Sequence, residues 1–344
     1  EYEKLLRNIY EKLQFVKPKL GKRPEWIDDA KTDFFPIKDL IRQIRGSNTD
    51  AKRRSCISRF QTEYIATLKS YYEKGANSER QYELFLNTKI IRDIFLDFVE
   101  VISETECNYA EVLADYFETM YNQLTCIKTF EPKAGSASDD DLDVFRNLMW
   151  ELFICVIVFM RHTKDYSAIN TMLTHTYFLE TTIFGGAIKQ NNYTAFRHHS
   201  RVVEERYKPS TDMKNKFTLM GDTICNQREK LPIFTSEAIA EADLFLYQVC
   251  NAYELAEGEN SWCESYWFPT CYVYAKNAPI EWMKMKSRQY CQKMMVLFGV
   301  SSLEELKSVV GKCVYNREMK YSGSWDAAPA ILSYVKVEEI GTLN

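Results

Sequence analysis

The residues best suited to chemistry form one short run, Arg197-His198-His199-Ser200-Arg201, and Glu205 follows four positions later. Arginine binds phosphate or carboxylate groups through two parallel hydrogen bonds, and a histidine beside a carboxylate can act as a general base. On a helix, Arg197 and Arg201 would share one face. The run therefore predicts a site for a phosphate-bearing substrate. Its catalytic candidates are His198, His199 and Glu205, and its ligand-binding candidates are Arg197 and Arg201.

The same run also has a purely structural interpretation. Glu204 and Glu205 lie at helical spacing from the arginines, and such pairs are common on a solvated helix face. The sequence holds no glycine-rich phosphate loop, dinucleotide fingerprint, nucleophile elbow, HExxH or C-x-x-C motif. These absences favour the structural interpretation and argue against the common nucleotide-dependent and metal-dependent enzyme classes.

A second candidate surface is aromatic. The segment 261–276 is the most aromatic part of the chain, and Trp282 follows it closely. Dense Tyr and Trp residues can stack on a base, form a protein interface or fill a corner of the core. The ligand-binding candidates of this surface are Trp262, Tyr266, Trp267 and Trp282.

Two charged stretches have simpler explanations. The acidic run from Asp139 to Asp143 lacks the alternating ligands, glycine and terminal glutamate of a calcium loop. Negative charge stabilises a helix start, so this run predicts the beginning of a helix. Near the N-terminus, a basic loop offers contact with anionic lipid or nucleic acid, or is simply solvated. Its charged residues are Lys17, Lys19, Lys22 and Arg23.

The elements that position these residues are predicted to be helices. Apolar residues recur at three-and-four spacing along most of the chain, which predicts an all-α array of about ten to twelve helices. Residues 148–160 are almost wholly apolar, so we expect this helix to be buried on every face. Further helices are predicted over 165–184 and 187–207. At most one short strand is expected, near the C-terminus at Ile331–Val337.

Length and composition limit the organisation of the chain. Its 344 residues permit an N-terminal helical subdomain over 1–130 and a C-terminal one over 142–344, with 131–141 as linker, or a single continuous domain. The ten cysteines are scattered, which is typical of reduced thiols in a cytoplasmic protein. Only four histidines are present, and neither a metal site nor a cofactor is predicted.

The function most favoured by these features is non-catalytic: a helical interaction or sensor module with a protein partner or a second copy of itself. The chain begins at Glu1 rather than at methionine, which predicts a preceding segment. A membrane anchor there would place the module at the cytoplasmic face of a membrane. The alternative function is a phosphate-substrate enzyme or nucleic-acid-binding protein that uses the Arg197–Arg201 run.

Overall fold

The structure, a computed structural model, describes residues 34–132, 138–180, 182, 184–257, 266–277 and 279–343, with the side chains of 254–257 left aside. Residues Ile37–Asn344 form one compact unit. Its helices are α1 Phe35–Arg45, α2 Asp50–Leu68, α3 Ser78–Asn87, α4 Lys89–Thr105, α5 Tyr109–Leu124, α6 Asp143–Thr163, α7 Tyr166–Thr174, α8 Leu219–Asn226, α9 Ser236–Glu257, α10 Ile280–Lys284, α11 Arg288–Phe298 and α12 Leu303–Gly311. The predicted all-α class is confirmed.

Helix α6 lies at the centre of this unit. A four-residue 3-10 turn, Asp139–Leu142, leads into it, and the hydroxyl of Ser138 accepts a hydrogen bond from the Asp140 N–H at 3.2 Å. From Leu148 to Met160 every residue is buried. Helices α3, α4, α5, α7 and α9 all pack against α6, so helices on both sides of the 131–141 linker contact it. The apolar run is thus buried on all faces, as its composition predicted.

Large side chains fill the layer between α2, α4 and α5. The rings of Phe60 and Phe98 stack with centroids 4.0 Å apart, and Phe95 meets Phe117 edge to face at 6.0 Å. Such arrangements add to the stabilisation that burial of the rings already gives. Among the described residues, no helix combines the length and the apolar content that crossing a bilayer requires.

A buried ionic cluster joins α4, α6 and the segment after α8. The Glu151 carboxylate accepts hydrogen bonds from Arg228 Nε at 2.9 Å and Arg228 Nη2 at 2.8 Å. The Nε of Arg92 lies 3.2 Å from the same carboxylate. All three side chains are almost completely excluded from solvent. Charges in such a place require partners, so each of these side chains depends on the others.

The chain from 165 to 191 differs from its predicted helices. Helix α7 ends at Thr174, and two antiparallel strands follow, β1 Tyr177–Glu180 and β2 Ile188–Asn191. Gly185 and Gly186 have φ angles of 72° and 104°, which lets the chain reverse between the strands. The free edge of β1 is satisfied by α5, because Glu118 accepts from the Phe178 N–H and Asn122 contacts residues 178 and 180.

The predicted helix over 187–207 is also wrong. After β2 the chain forms a 3-10 turn, Tyr193–Phe196, then an extended stretch, then a single π-helical segment, Val202–Tyr207. Asn192 caps the first turn by accepting from the Thr194 N–H at 2.9 Å, and this local bond competes with helix formation. The strand expected at Ile331–Val337 is likewise absent, since Ile331–Ser333 form a 3-10 turn.

Candidate functional site

A cavity of about 550 Å³ lies where three parts of the chain meet: the 3-10 turn with the start of α6, the ends of α5 and β1, and the stretch 195–206. It contains most of the predicted Arg–His run. Its lining residues are Tyr121, Thr125, Asp139, Asp140, Asp143, Arg146, Met149, Glu180, Thr182, Ala195, Phe196, Arg197, His198, His199, Arg201, Val202 and Arg206.

Asp143 is the polar centre of the cavity wall. Its Oδ1 lies 2.7 Å from His198 Nε2, and its Oδ2 accepts from Ser200 Oγ at 2.6 Å and from Asn147 Nδ2 at 2.8 Å. Burial would raise the pKa of Asp143, but the hydrogen bonds from His198, Ser200 and Asn147 outweigh it and lower the pKa. The carboxylate is therefore ionised, so His198 Nε2 is the hydrogen-bond donor.

The extended backbone of 197–200 places His198 and Ser200 beside Asp143. Ser200 lies just before the π-helical segment and stabilises its start, since its hydroxyl accepts from the Val203 N–H at 3.0 Å. Ser200 is buried and bonded on both sides, which makes it a structural residue rather than a nucleophile. His198 thus contacts Asp143 of α6 and not the catalytic candidate Glu205.

Two of the four arginines around the cavity are neutralised by the acidic run. Arg146 forms a two-pronged ion pair with Asp139 at 2.5 and 2.6 Å. Arg206 Nη1 lies 2.5 Å from Asp140 Oδ2. The hydrogen bonds that Arg146 donates lower the pKa of Asp139, and the hydrogen bond that Arg206 donates to Asp140 raises the pKa of Arg206. These carboxylates hold cavity side chains in place, beyond the helix-start role predicted for the acidic run.

The other two arginines have no such partner. Neither the Arg197 side chain nor the Arg201 side chain forms a hydrogen bond or an ion pair with any residue in the described part of the chain. The Nε of Arg197 is buried without a hydrogen-bond partner, and its guanidinium lies over the Phe268 ring, 5.5 Å from the centroid. Burial lowers the pKa of Arg197, and the negative charge of Asp243 offsets this only in part. Arg201 is exposed at the cavity.

His199 and Glu205 lie at the outer part of the site. His199 Nε2 is 3.8 Å from Glu205 Oε1, and both side chains are about half exposed or more. Partial burial lowers the pKa of His199, and the positive charge of Arg197 lowers it further. At neutral pH His199 is therefore uncharged. Glu205 does not line the cavity, whereas the other four residues of the predicted site do.

The aromatic candidates belong to a different part of the molecule. Trp267 is fully buried and donates from Nε1 to Asp243 at 2.8 Å, while Trp282 is fully buried against Phe245. Tyr266 donates to Asn251 at 3.2 Å. None of these three lines the cavity. Trp262 lies outside the described residues, as do Lys17, Lys19, Lys22 and Arg23.

Sequence reasoning missed the acidic partners of the site. The acidic run predicts only a helix start, and no pattern in the sequence links it to Arg146. One signal was present: four carboxylates occur within five positions, more than a helix start needs. The described residues hold no group of three or more His, Cys, Asp or Glu side chains placed to bind a metal ion. Their cysteines form no disulfide, and all except Cys107 are buried.

No protein-family model matches the chain, and no curated protein or solved structure is significantly similar to it. Function is therefore inferred from the chemistry of this cavity.

Proposed function

We propose that the protein is a ligand-binding module that recognises a small phosphate-bearing anion in the 550 Å³ cavity. The observation that supports this most strongly is that only two of the four arginines around the cavity have a carboxylate partner. Arg146 and Arg206 are each paired with an aspartate, whereas Arg197 and Arg201 line the cavity without a carboxylate partner. A cation left without a partner in a concave site attracts an anionic ligand.

The geometry favours phosphate over a simple inorganic cation or an apolar ligand. A guanidinium binds two phosphate oxygens at once, and the burial of Arg197 strengthens such a bond by excluding water. Two of the aspartates on the wall, Asp139 and Asp140, are paired with Arg146 and Arg206, so they repel an anion less than free carboxylates would. A cavity of this volume accommodates a ligand of up to nucleotide size.

Calorimetric titration with inorganic pyrophosphate and with adenosine monophosphate tests this proposal. Each bond between a charged donor and phosphate contributes about 1.5–3 kcal/mol, so we expect Arg197→Gln and Arg201→Gln each to weaken binding about tenfold to a hundredfold. Arg59→Gln is the matched control, because Arg59 is an exposed arginine on α2 that does not line the cavity. Binding that is absent in the wild type, or equal in all four proteins, would overturn the proposal.

A second function is supported by the Asp143–His198 pair. An aspartate that fixes the tautomer and orientation of a histidine is a common device for proton transfer during ester hydrolysis. At 2.7 Å the pair meets that requirement beside the proposed anion site. Under this alternative the module would hydrolyse a phosphate ester, with His198 transferring the proton and Arg197 and Arg201 holding the phosphate.

Release of phosphate from p-nitrophenyl phosphate distinguishes binding from hydrolysis. A hydrolase would lose most activity in His198→Asn and would retain pyrophosphate binding, since asparagine keeps a polar group near Asp143. Wild-type protein that binds pyrophosphate and releases no phosphate would leave recognition as the function and reject the hydrolase.

A further inference from the structure

A second concave surface lies far along the chain from the cavity. A groove of about 420 Å³ runs between α10, the start of α11 and the C-terminal segment. Its lining residues are Met283, Lys284, Lys286, Ser287, Gln289, Tyr290, Lys293 and Leu343. We call this surface the Tyr290 groove.

The Tyr290 groove is basic. Three lysines line it, and no carboxylate is among its lining residues. The ammonium groups of Lys284 and Lys293 lie 5.6 and 5.8 Å from the centroid of the Tyr290 ring. Neither of these lysines forms an ion pair with a described residue. Lys286 is paired with Glu339 at 3.2 Å. The groove therefore presents two lysines that have no ion-pair partner among the described residues.

Exposed apolar side chains lie in or next to the groove: Met283 and Leu343 line it, and Ile280 lies four positions before Lys284 on α10. Ile280, Met283 and Leu343 are 54 %, 55 % and 58 % exposed. A soluble surface tolerates single exposed apolar residues, but several of them next to unpaired lysines indicate a binding surface. An acidic peptide would pair with the lysines but would not explain why apolar side chains are exposed beside them.

The groove is held in a fixed shape. Leu343 is bonded to the loop before α11, because its N–H donates to the Lys286 carbonyl at 2.8 Å and its carbonyl accepts from the Arg288 N–H at 2.7 Å. The hydroxyls of Tyr290 and Tyr166 are 2.5 Å apart, which fixes the ring under the lysines. The exposed side chains are therefore presented by ordered backbone, as a preformed binding surface requires.

We infer that the Tyr290 groove docks onto a bilayer that contains anionic phospholipids. Lipid phosphates would lie between Lys284 and Lys293, and Ile280, Met283 and Leu343 would enter the boundary between headgroups and acyl chains. Membrane-surface segments combine lysines and exposed apolar side chains in this way, and each lysine adds measurable attraction to an anionic leaflet. This inference is independent of the cavity and of the function proposed for it.

Co-sedimentation with vesicles tests the inference. Wild-type protein is expected to bind vesicles of phosphatidylcholine mixed with phosphatidylserine and to stay in solution with phosphatidylcholine alone. The double variant Lys284→Gln/Lys293→Gln should bind the anionic vesicles about thirtyfold more weakly, since two surface lysines are removed. Lys38→Gln/Lys52→Gln removes two exposed lysines on α1 and α2 and should bind like the wild type, which controls for total charge.

A second variant tests the apolar part of the surface. Met283→Asn leaves the charges unchanged and should also weaken sedimentation with anionic vesicles, because apolar insertion is lost. Met283, Lys284 and Lys293 are all exposed, so the circular dichroism spectrum and the thermal midpoint of the groove variants should match those of the wild type. Wild-type protein that stays in solution with anionic vesicles, or a groove variant that binds like the Lys38/Lys52 control, would overturn the inference. Binding of a polyglutamate peptide without vesicle binding would replace the lipid by an acidic protein partner.

Discussion

Asp143 and His198 form a 2.7 Å hydrogen bond that joins the first residue of α6 to an extended segment 55 positions later. The bond lies in the wall of the cavity, where Ser200 and Asn147 also donate to Asp143. One carboxylate therefore fixes the position of the Arg–His run relative to the central helix. Both the stability of this region and the shape of the proposed anion site depend on it.

Replacing Asp143 with asparagine should destabilise the protein. An asparagine offers one acceptor oxygen and one NH₂ group where His198, Ser200 and Asn147 all donate, so at least one buried donor loses its acceptor. We expect a loss of about 1–3 kcal/mol in the free energy of unfolding at neutral pH, measured by urea titration. Asp50→Asn is the control, since Asp50 is exposed and its pair with Arg53 should contribute less than about 1 kcal/mol.

The effect of Asp143→Asn should also depend on pH. The folded-state pKa of Asp143 lies below its ordinary value of 3.8, so its stabilisation is complete above about pH 4. It is lost as pH falls through the folded-state pKa, when the carboxylate gains a proton. The difference in unfolding free energy between wild type and variant should shrink in strong acid. A difference that grows as pH falls would contradict the ionised Asp143.

Asp243 should show the opposite pH dependence. Burial raises its pKa from 3.8 to about 6, although the Cys271 N–H and Trp267 donate to it. As pH rises from about 4 to about 6, the Asp243 carboxyl group is already deprotonated in the unfolded state but still protonated in the folded state. The wild type should therefore lose stability relative to Asp243→Asn as pH rises through that window, by up to about 3 kcal/mol.

Urea titrations of the two proteins at a series of pH values measure this difference, with tryptophan fluorescence as the signal. Groups common to both proteins cancel in the comparison. A difference that is constant from pH 4 to pH 7 would show that Asp243 does not titrate in that window.

Removing the Glu151 charge should be among the most destabilising single changes in the core. In Glu151→Gln, the buried guanidinium groups of Arg92 and Arg228 lose their shared carboxylate. Removing one partner of a buried ion pair typically lowers the free energy of unfolding by about 3–5 kcal/mol. Glu83→Gln removes the same charge from an exposed pair with Arg80 and should cost less than about 1 kcal/mol. Equal losses for the two variants, by chemical denaturation, would contradict the buried cluster.

Gly185→Ala should destabilise the hairpin more than Gly75→Ala destabilises its own turn. Both glycines have φ near +70°, so each alanine carries a similar backbone penalty of about 1–2 kcal/mol. A Cβ at 185 would also lie 3.1 Å from the Cys126 sulfur, whereas one at 75 meets nothing within 4 Å. The thermal midpoint should therefore fall further for Gly185→Ala. Equal shifts would indicate that Cys126 moves aside without cost.

The burial of α6 and the all-α class were predictable because both follow from local patterns. An uninterrupted apolar run must be buried wherever the chain takes it, and three-and-four spacing of apolar residues defines a helix face. The hairpin after α7 was not predictable in this way. The free edge of β1 is satisfied by Glu118 and Asn122, which lie about 60 positions earlier, and no pattern within 175–191 reports that contact.

For the site, the sequence by itself determined the groups and not their geometry. Arg197, His198, His199 and Arg201 are close together in the chain, so the fold keeps them in one region wherever that region lies. Tertiary structure decided that Asp143 and not Glu205 orients His198, and that Asp139 and Asp140 neutralise Arg146 and Arg206 while Arg197 and Arg201 stay unpaired. The physical reason is that an ion pair depends on distance in space. The fold brings Asp143 to His198 and Asp140 to Arg206 across more than 50 residues, whereas Asp139 and Arg146 are only seven residues apart in the chain.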